Sequence, residues 1–519
     1  MKLKTQLYLL WAMLLSLPSF GQTSFISTYP TANGARVAST IALSDGNILS
    51  GGKTTSFTTG DYDILLLKTD PSGDVLWTKT YGNSEDNEVL SMAALSTNAY
   101  AVLAKDYSGG VPYYTLMIID LSGAITAQRT FSVSTGLSFP KISALSNGNV
   151  LVCGTTMNKI ILTCLDNTCA TVWTKDISVG ASGVTINSVK ATEMTNGNIA
   201  IICNTDYGTM PNLSFYLNIV SNAGSIISSQ LFSTTFDISS NKVYCSPTTG
   251  NLYICGTANS SRFLILKLDN SGSLTWVKSW NTTHLTYAGT LDATFDPATD
   301  DITILGYTIA AGFEVDHYDS DGTYQWSNGG PTFSETPIAI TGDANGNFFV
   351  SGTVATVATG FQDILLSYVP ASGHLCSHAP YTVALISNYT ATASTVSFND
   401  NGSPTLTDNP ITYTSQSPTL TKSVSCTFNV GVDESSFEEF FSLRSNIISD
   451  QLIIDSKTGF SANELISVSD LSGRVVYTVN GVEGNTQMAI STNKLSAGAY
   501  LISVMKNGSR MTKKIIVQR

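Results

Sequence analysis

Charge is scarce in this sequence. Lys, Arg, Asp and Glu make up 12% of 519 residues, about half the usual share. Acids outnumber bases 38 to 26, and the net charge is −12. A basic stripe is missing, which argues against nucleic acid as a partner. Histidine is confined to His284, His317, His374 and His378. None lies in a nucleophile motif, and each reads as an isolated surface or turn residue. No CxxC spacing, Cys/His cluster, phosphate-cradling glycine loop or nucleotide fingerprint occurs, so neither metal nor cofactor is expected. Apolar runs are short as well. The one at Leu7–Leu17 follows Lys2 and Lys4 and precedes Ser19 and Gly21, the small residues a signal peptidase requires. It falls below the about 20 residues of a membrane span. We expect residues 1–21 to be a signal peptide cut before Gln22, and the mature chain to be a monomer without a transmembrane span, exported through the periplasm.

What the sequence does contain is repetition. An Asp followed seven residues later by Trp recurs at Asp70…Trp77, Asp166…Trp173, Asp269…Trp276 and Asp319…Trp326, and weaker copies start at Asp120, Ser221 and Pro370. The period of about 50 residues marks stacked supersecondary units. Within one unit, Arg36–Leu43, Ile48–Gly52, Tyr62–Lys68 and Val75–Lys79 alternate or run apolar between turns such as Ser44-Asp45-Gly46-Asn47 and Asp70-Pro71-Ser72-Gly73. Asn-Gly turns recur at 147–149, 196–198 and 345–347. Four short strands per unit, seven units and a radial arrangement describe a seven-bladed β-propeller. An open array or another blade count is the alternative. Ser24–Pro30 resembles Leu76–Gly82, the last strand of a unit, and this predicts an amino-terminal strand that closes the ring.

The octet reads as scaffold: Asp caps a turn, Gly takes its left-handed position, and Trp buries its ring between sheets. The acids Asp316, Asp319 and Asp321 before Gly322 read as hairpin capping in preference to calcium ligation. Ligand contacts are sought instead on the rim where loops between second and third strands gather. Asp106, Tyr107, Tyr113, Asp206 and Tyr207 pair carboxylates with aromatic faces, a combination suited to sugars. The favoured function is a non-catalytic binding, adhesion or glycan-capture protein. The alternative is a glycosidase or lyase with paired carboxylates at the propeller funnel, which requires acids within about 5 to 10 Å of each other.

Two stretches carry family resemblances. Asp61-Tyr62-Asp63-Ile64-Leu65-Leu66-Leu67-Lys68-Thr69-Asp70-Pro71-Ser72-Gly73-Asp74-Val75-Leu76-Trp77 resembles the repeats of secreted β-propeller proteins of Bacteroidetes-type bacteria. At the carboxyl end, Ser449–Leu452, Val468–Val476 with Asp470, Gly473 and Arg474, Leu495–Tyr500 with Gly498, and Lys513–Val517 with Lys514 resemble a type A sorting domain of the type IX secretion system. The family's Pro-Asn-Pro opening is replaced by Ser445-Asn446-Ile447. This resemblance implies recognition by the outer-membrane translocon and delivery to the cell surface or the medium. The alternating runs there also predict a small β-sandwich.

The expected organisation is therefore signal peptide 1–21, propeller 22–378, a Ser/Thr-rich linker or small β appendage at 379–440, and sorting domain 441–519. Eight cysteines in an exported chain invite disulfides. Cys164 and Cys169 flank a hairpin turn, and Cys376 and Cys426 bracket the Ser/Thr-rich segment; both pairs are candidates. Cys153, Cys203 and Cys255 are expected at one equivalent, buried strand position in successive units.

Overall fold

Turns set the length of every strand in the amino-terminal unit, which spans Phe25–Thr427. The computed structural model describes residues 23–518 apart from short segments, the longest being 108–111, 180–183, 208–213, 283–287, 330–334, 356–361, 374–382, 430–439 and 471–474. The signal-peptide expectation, and with it His284, His374 and His378, falls outside the described residues. In the first repeat, Ala35–Ala42, Ile48–Thr54, Asp63–Thr69 and Val75–Gly82 form an antiparallel sheet in chain order. The central strand Asp63–Thr69 is buried along its whole length, because sheets cover both of its faces.

The six sheets that follow have first strands Asn87–Ser96, Ser138–Ala144, Val184–Glu193, Ile238–Cys245, Ala288–Phe295 and Glu335–Gly342; we number the sheets 1 to 7 in this order. Each first strand packs against the next, and Glu335–Gly342 packs against Ala35–Ala42. The ring is thus closed, and the unit is a β-propeller. Thr23–Tyr29 pairs with Gln362–Val369, with Phe25 opposite Tyr368. It supplies the outer strand of sheet 7, as its likeness to Leu76–Gly82 predicts.

The octet proves to be an interlock between neighbouring sheets. Asp70 Oδ1 accepts bonds from Ser72 N (2.9 Å), Ser72 Oγ (2.8 Å) and Asp74 N (2.8 Å). Asp120, Asp166 and Asp269 repeat this three-bond cap, and Asp319 takes two amides. The Trp of one sheet reaches the turn of the next: Trp77 Nε1 donates to Leu121 O (3.0 Å) and Trp173 Nε1 to Asn222 O (2.8 Å). A Cβ on Gly224 would lie 2.9 Å from the Trp173 ring, and one on Gly322 2.9 Å from Trp276. Glycine is needed there twice over, for a φ of 80° and 70° respectively and for the indole above it. Between sheets 2 and 3 both partners differ. Ala127 stands in the Trp position, and Cys169, at φ 65°, stands in the Gly position with its buried side chain in the cluster on which Ala127 packs.

The Ser/Thr-rich segment after the ring does not form an appendage of its own. Val383–Asn388, Thr392–Thr395, Phe398–Asp400, Leu406–Asp408, Thr414–Gln416 and Ser423–Asn429 add a fifth strand to sheets 5, 4, 3, 2, 1 and 7 in turn. The chain therefore travels back around the outside of the ring against the order of the sheets. Sheet 6 has no fifth strand among the described residues. Backbone pairing runs through the strap, whose strands Thr392–Thr395 and Thr414–Gln416 are exposed throughout, while Ala391, Phe398, Leu406, Tyr413 and Leu420 anchor it at intervals in the clusters between the sheets.

Sheet geometry also corrects the cysteine reading. Cys164 and Cys169 are free, buried thiols on opposite faces of sheet 3. Cys164 packs toward sheet 4 with Tyr216, and Cys169 toward sheet 2, its thiol donating to Leu116 O at 3.7 Å. Cys153 and Cys255 are equivalent, opposite Lys141 and Lys242. Cys203 sits one residue further along, opposite Val189, which turns it to the other face. All three are buried and free. Cys376 and the Cys426 side chain lie outside the described residues.

The carboxyl-terminal unit is a sandwich. Phe441–Leu443, Gln451–Ser456 and Gln487–Ser491 form one sheet. Ile447–Ile448, Ser509–Val517, Gly498–Lys506, Leu465–Asp470 and Val475–Asn480 form the other, in that spatial order. Leu452, Ile454, Ile466, Val468, Ile502, Val504 and Ile515 fill the space between them.

Candidate functional site

Every first strand carries a bulge just before its midpoint. Bulges re-aim side chains, and here the register brings one residue per sheet to a common level: Ser39, Ser91, Lys141, Lys190, Lys242, Asp292 and Ala339. All seven line the same central cavity of about 300 Å³. Opposite the bulge the second strand has no room for a side chain in sheets 1 and 5; a Cβ on Gly52 would meet Arg36 O, and one on Gly256 would meet Ser239 O.

The seven residues divide by chemistry. Ser39 Oγ accepts from Met92 N (3.2 Å), Ser91 Oγ from Ile142 N (3.3 Å) and Asp292 Oδ2 from Ile340 N (3.3 Å). Each of these ties its strand to the first strand of the next sheet. The lysines cannot accept a bond. Lys242 Nζ pairs with Asp292 Oδ1 at 3.0 Å, and Lys141 Nζ donates to Leu90 O at 2.9 Å. Lys190 has no hydrogen-bond or ion-pair partner among the described residues. Burial, then repulsion by Lys141, holds its amine down to about 8. Burial likewise lowers Lys141.

This ring went unnoticed in the sequence, although a signal exists. Lys141 and Lys190 stand six residues before the Asn of an Asn-Gly-Asn turn, and Ser39 and Ala339 keep the same offset from Asp45 and Asn345. A fixed distance from a recurring turn marks one structural position.

Three of the rim residues named from sequence, Asp106, Tyr107 and Tyr113, have described side chains. Asp106 is fully buried: its Oδ2 accepts from Asn83 Nδ2 at 2.9 Å and from Tyr413 OH, on the strap, at 3.4 Å. It is the last residue of the strand Ala99–Asp106, and in this position its carboxylate anchors the strap. Tyr107 is 45% exposed, but Lys105 Nζ lies 4.2 Å from its ring centroid and its hydroxyl donates to Glu88 Oε1 at 3.0 Å. Glu88 Oε2 is paired in turn with Lys53 Nζ at 2.6 Å, and Lys53 sits over Tyr62 at 4.5 Å. Tyr113 is opposite Asp106 in the same hairpin. Asp206 and Tyr207 end the strand Ile199–Tyr207, and their side chains lie outside the described residues.

Other sequence-flagged groups resolve as structure. His317 is not a surface residue: Nδ1 meets Thr303 Oγ1 at 2.8 Å, and its ring stacks on Trp326 at 5.1 Å. Burial pushes it down to about 4. Asp316 is fully buried beside Glu314, and burial followed by that like charge raises its carboxyl well above the usual range.

In the sandwich, Leu495 and Tyr500 are buried, and Tyr500 OH donates to Ser496 O at 3.1 Å, fixing the turn around Gly498. Lys514 lies in the strand Ser509–Val517. Asp470 ends Leu465–Asp470, and its side chain, with Gly473 and Arg474, falls outside the described residues. Asn446 O accepts from Ile516 N at 2.7 Å, so the altered opening still pairs with the last strand.

Residues 446–518 match the family of secretion system C-terminal sorting domains. No curated protein matches the chain. Solved structures similar to it include Sqt1 of Chaetomium thermophilum, at 10% identity and a TM-score of 0.40 over 67% of this chain and 98% of that one. The β-propeller domain of the Trilobed protease from Pyrococcus furiosus gives 8% and 0.37 over 66% and 97%, and polysaccharide lyase Uly1 gives 10% and 0.40 over 63% and 88%. The ordered motifs, the sandwich they build and the family match together identify the carboxyl-terminal module as a type IX secretion sorting domain, and the protein as cargo exported to the outer-membrane surface or the extracellular space.

Proposed function

We propose that this cargo is a binding protein, acting in adhesion or glycan capture, whose propeller takes its ligand at the central cavity. A signal peptide at residues 1–21 brings it to the periplasm, and the sorting domain hands it to the translocon. The lining of the cavity carries the reading. It offers amines and hydroxyls, and the single carboxylate in the ring, Asp292, is engaged by Lys242. Acid-pair glycoside hydrolysis needs two carboxyl groups flanking one bond, whereas capture of a hydroxylated ligand needs donors of the kind Ser39, Ser91 and the lysines present.

The test is binding of the purified full-length protein to a panel of plant, algal and host glycans, with product release followed in the same wells. Binding without release is expected. Release of shortened products would replace capture with polysaccharide cleavage, and silence in both would remove glycans as the ligand.

A further inference from the structure

We propose that Lys141 and Lys190 form an oxyanion site in the central cavity, specific for the carboxylate or sulfate group of an acidic carbohydrate. This rests on the capture reading and names its ligand class.

Three observations converge on that pair. The first is the charge balance at one level of the ring, where three lysines face one carboxylate. Lys242 is matched to Asp292, so Lys141 and Lys190 are left uncompensated on neighbouring first strands. The second is unused donor capacity. Each amine has three N–H groups; Lys141 directs one to Leu90 O, and Lys190 has no partner among the described residues. The third is that the ring position does not require lysine. Ser39, Ser91 and Ala339 fill it in sheets 1, 2 and 7, and Ser39 and Ser91 accept a backbone amide of the adjacent first strand, which a lysine ammonium cannot do. Side-by-side amines repel and are disfavoured by burial, and a bound anion reverses both effects.

Size and surroundings select the anion's carrier. A cavity of about 300 Å³ lies at the small end of ligand sites and admits a group the size of one sugar unit. Ser39, Ser91 and Asn241 line the same space and supply partners for hydroxyls, which an acidic sugar has and an acidic peptide side chain lacks.

The experiment compares the full-length protein with Lys141→Gln, Lys190→Gln and Asp292→Asn, each verified by its melting curve. The probes are inorganic sulfate, a polyuronate, a sulfated glycan, a neutral glucan and polyglutamate. Each lysine variant should weaken the acidic glycans and sulfate about tenfold or more and leave the neutral glucan unchanged, while Asp292→Asn, which removes the competing carboxylate, should tighten them. Sulfate should also protect Lys190 from acylation at pH 8. Acidic probes that bind equally well to the lysine variants would overturn the site, as would acylation of Lys190 indifferent to sulfate. Lysine-dependent binding of polyglutamate alone would overturn the carbohydrate assignment. Binding of the neutral glucan alone would leave capture standing and remove the oxyanion site; lysine-dependent binding of sulfate with every glycan silent would leave an anion site and remove glycan capture.

Discussion

The substitution Ala127→Trp, alone and together with Cys169→Gly, measures the interlock between adjacent sheets. Trp77, Trp173 and Trp276 each cover a turn glycine of the following sheet, but the sheet 2–3 junction pairs Ala127 with Cys169, whose thiol is buried in the cluster on which Ala127 packs. Ala127→Trp alone must displace that thiol, and overpacking of this kind costs about 1 to 3 kcal/mol. Cys169→Gly alone loses a buried thiol worth about 1 kcal/mol but relieves a left-handed φ of 65°, worth a similar amount, so it should be close to neutral. The double variant rebuilds the arrangement of the junctions at Trp77 and Trp173, with the indole N–H facing Asn167 O, the counterpart of Leu121 O and Asn222 O. It should recover wild-type stability, giving a favourable coupling of about 2 kcal/mol between the substitutions. Urea midpoints of the four proteins close the cycle. If the two effects add to within about 0.5 kcal/mol, Trp and Gly are not partners across the junction, and the paired departure at Ala127 and Cys169 is an accident of sequence.

Three further outcomes are expected. Burial and Glu314 raise the Asp316 carboxyl, so the folded state favours its protonated form; wild-type stability contributed by this group is full below the ordinary carboxyl range and declines as pH rises toward the folded value. Asp316→Asn should therefore be more stable than wild type at pH 7 and lose that advantage near pH 4, read as denaturant midpoints; a constant difference across pH would refute the burial argument. His317 is shifted the other way, down to about 4, so its contribution is complete above about 6.5 and is lost as pH falls toward 4. His317→Gln, which forfeits the Trp326 stack, should be less stable than wild type at pH 7 by about 1 kcal/mol, with the deficit shrinking on acidification; a widening deficit would contradict it. Peptide mapping without reductant should recover Cys153, Cys164, Cys169, Cys203, Cys245 and Cys255 as thiols and, if the second candidate pair of the sequence forms, Cys376 joined to Cys426; recovery of Cys164 linked to Cys169 would contradict the opposite-face placement.

Some features were legible because the relevant physics is local. An Asp that caps its own turn, a Gly at positive φ and a Trp at fixed spacing need no knowledge of distant residues, and the spare strand Thr23–Tyr29 betrayed itself by resembling Leu76–Gly82. Other features depend on which face of a sheet a residue occupies. Cys164 and Cys169 flank one turn, yet register turns Cys164 toward sheet 4 and Cys169 toward sheet 2. Asp106 reads as a loop acid but is the last residue of its strand, and the inward face decides its role. The ring of Ser39, Lys141, Lys190 and Asp292 was hidden for a related reason: within any single repeat one such residue is an ordinary strand position, and only closure of the propeller makes the seven converge.

The strap shows the limit of pattern reading most clearly. Thr414–Gln416 and Leu406–Asp408 are three-residue strands with no more than one apolar residue each, so no periodicity could announce them; they are ordered by backbone pairing to Val75–Gly82 and Ile125–Val133 and, in the second, by Leu406. Side chains contribute only at intervals, as where Tyr413 bonds Asp106 and Thr115, Arg129 pairs with Asp408 at 2.8 Å, and Lys422 with Asp74 at 3.0 Å. Outer strands of a propeller are edges, and long, flat edges recruit other chains. In sheets 1 to 4 the strap replaces these edges with strands of only three or four residues, too short to serve as templates. Its pairings are all long-range in sequence, and the strand Ser423–Asn429 completes sheet 7 beside Thr23–Tyr29. The ring is in this way latched by segments from both ends of its own chain.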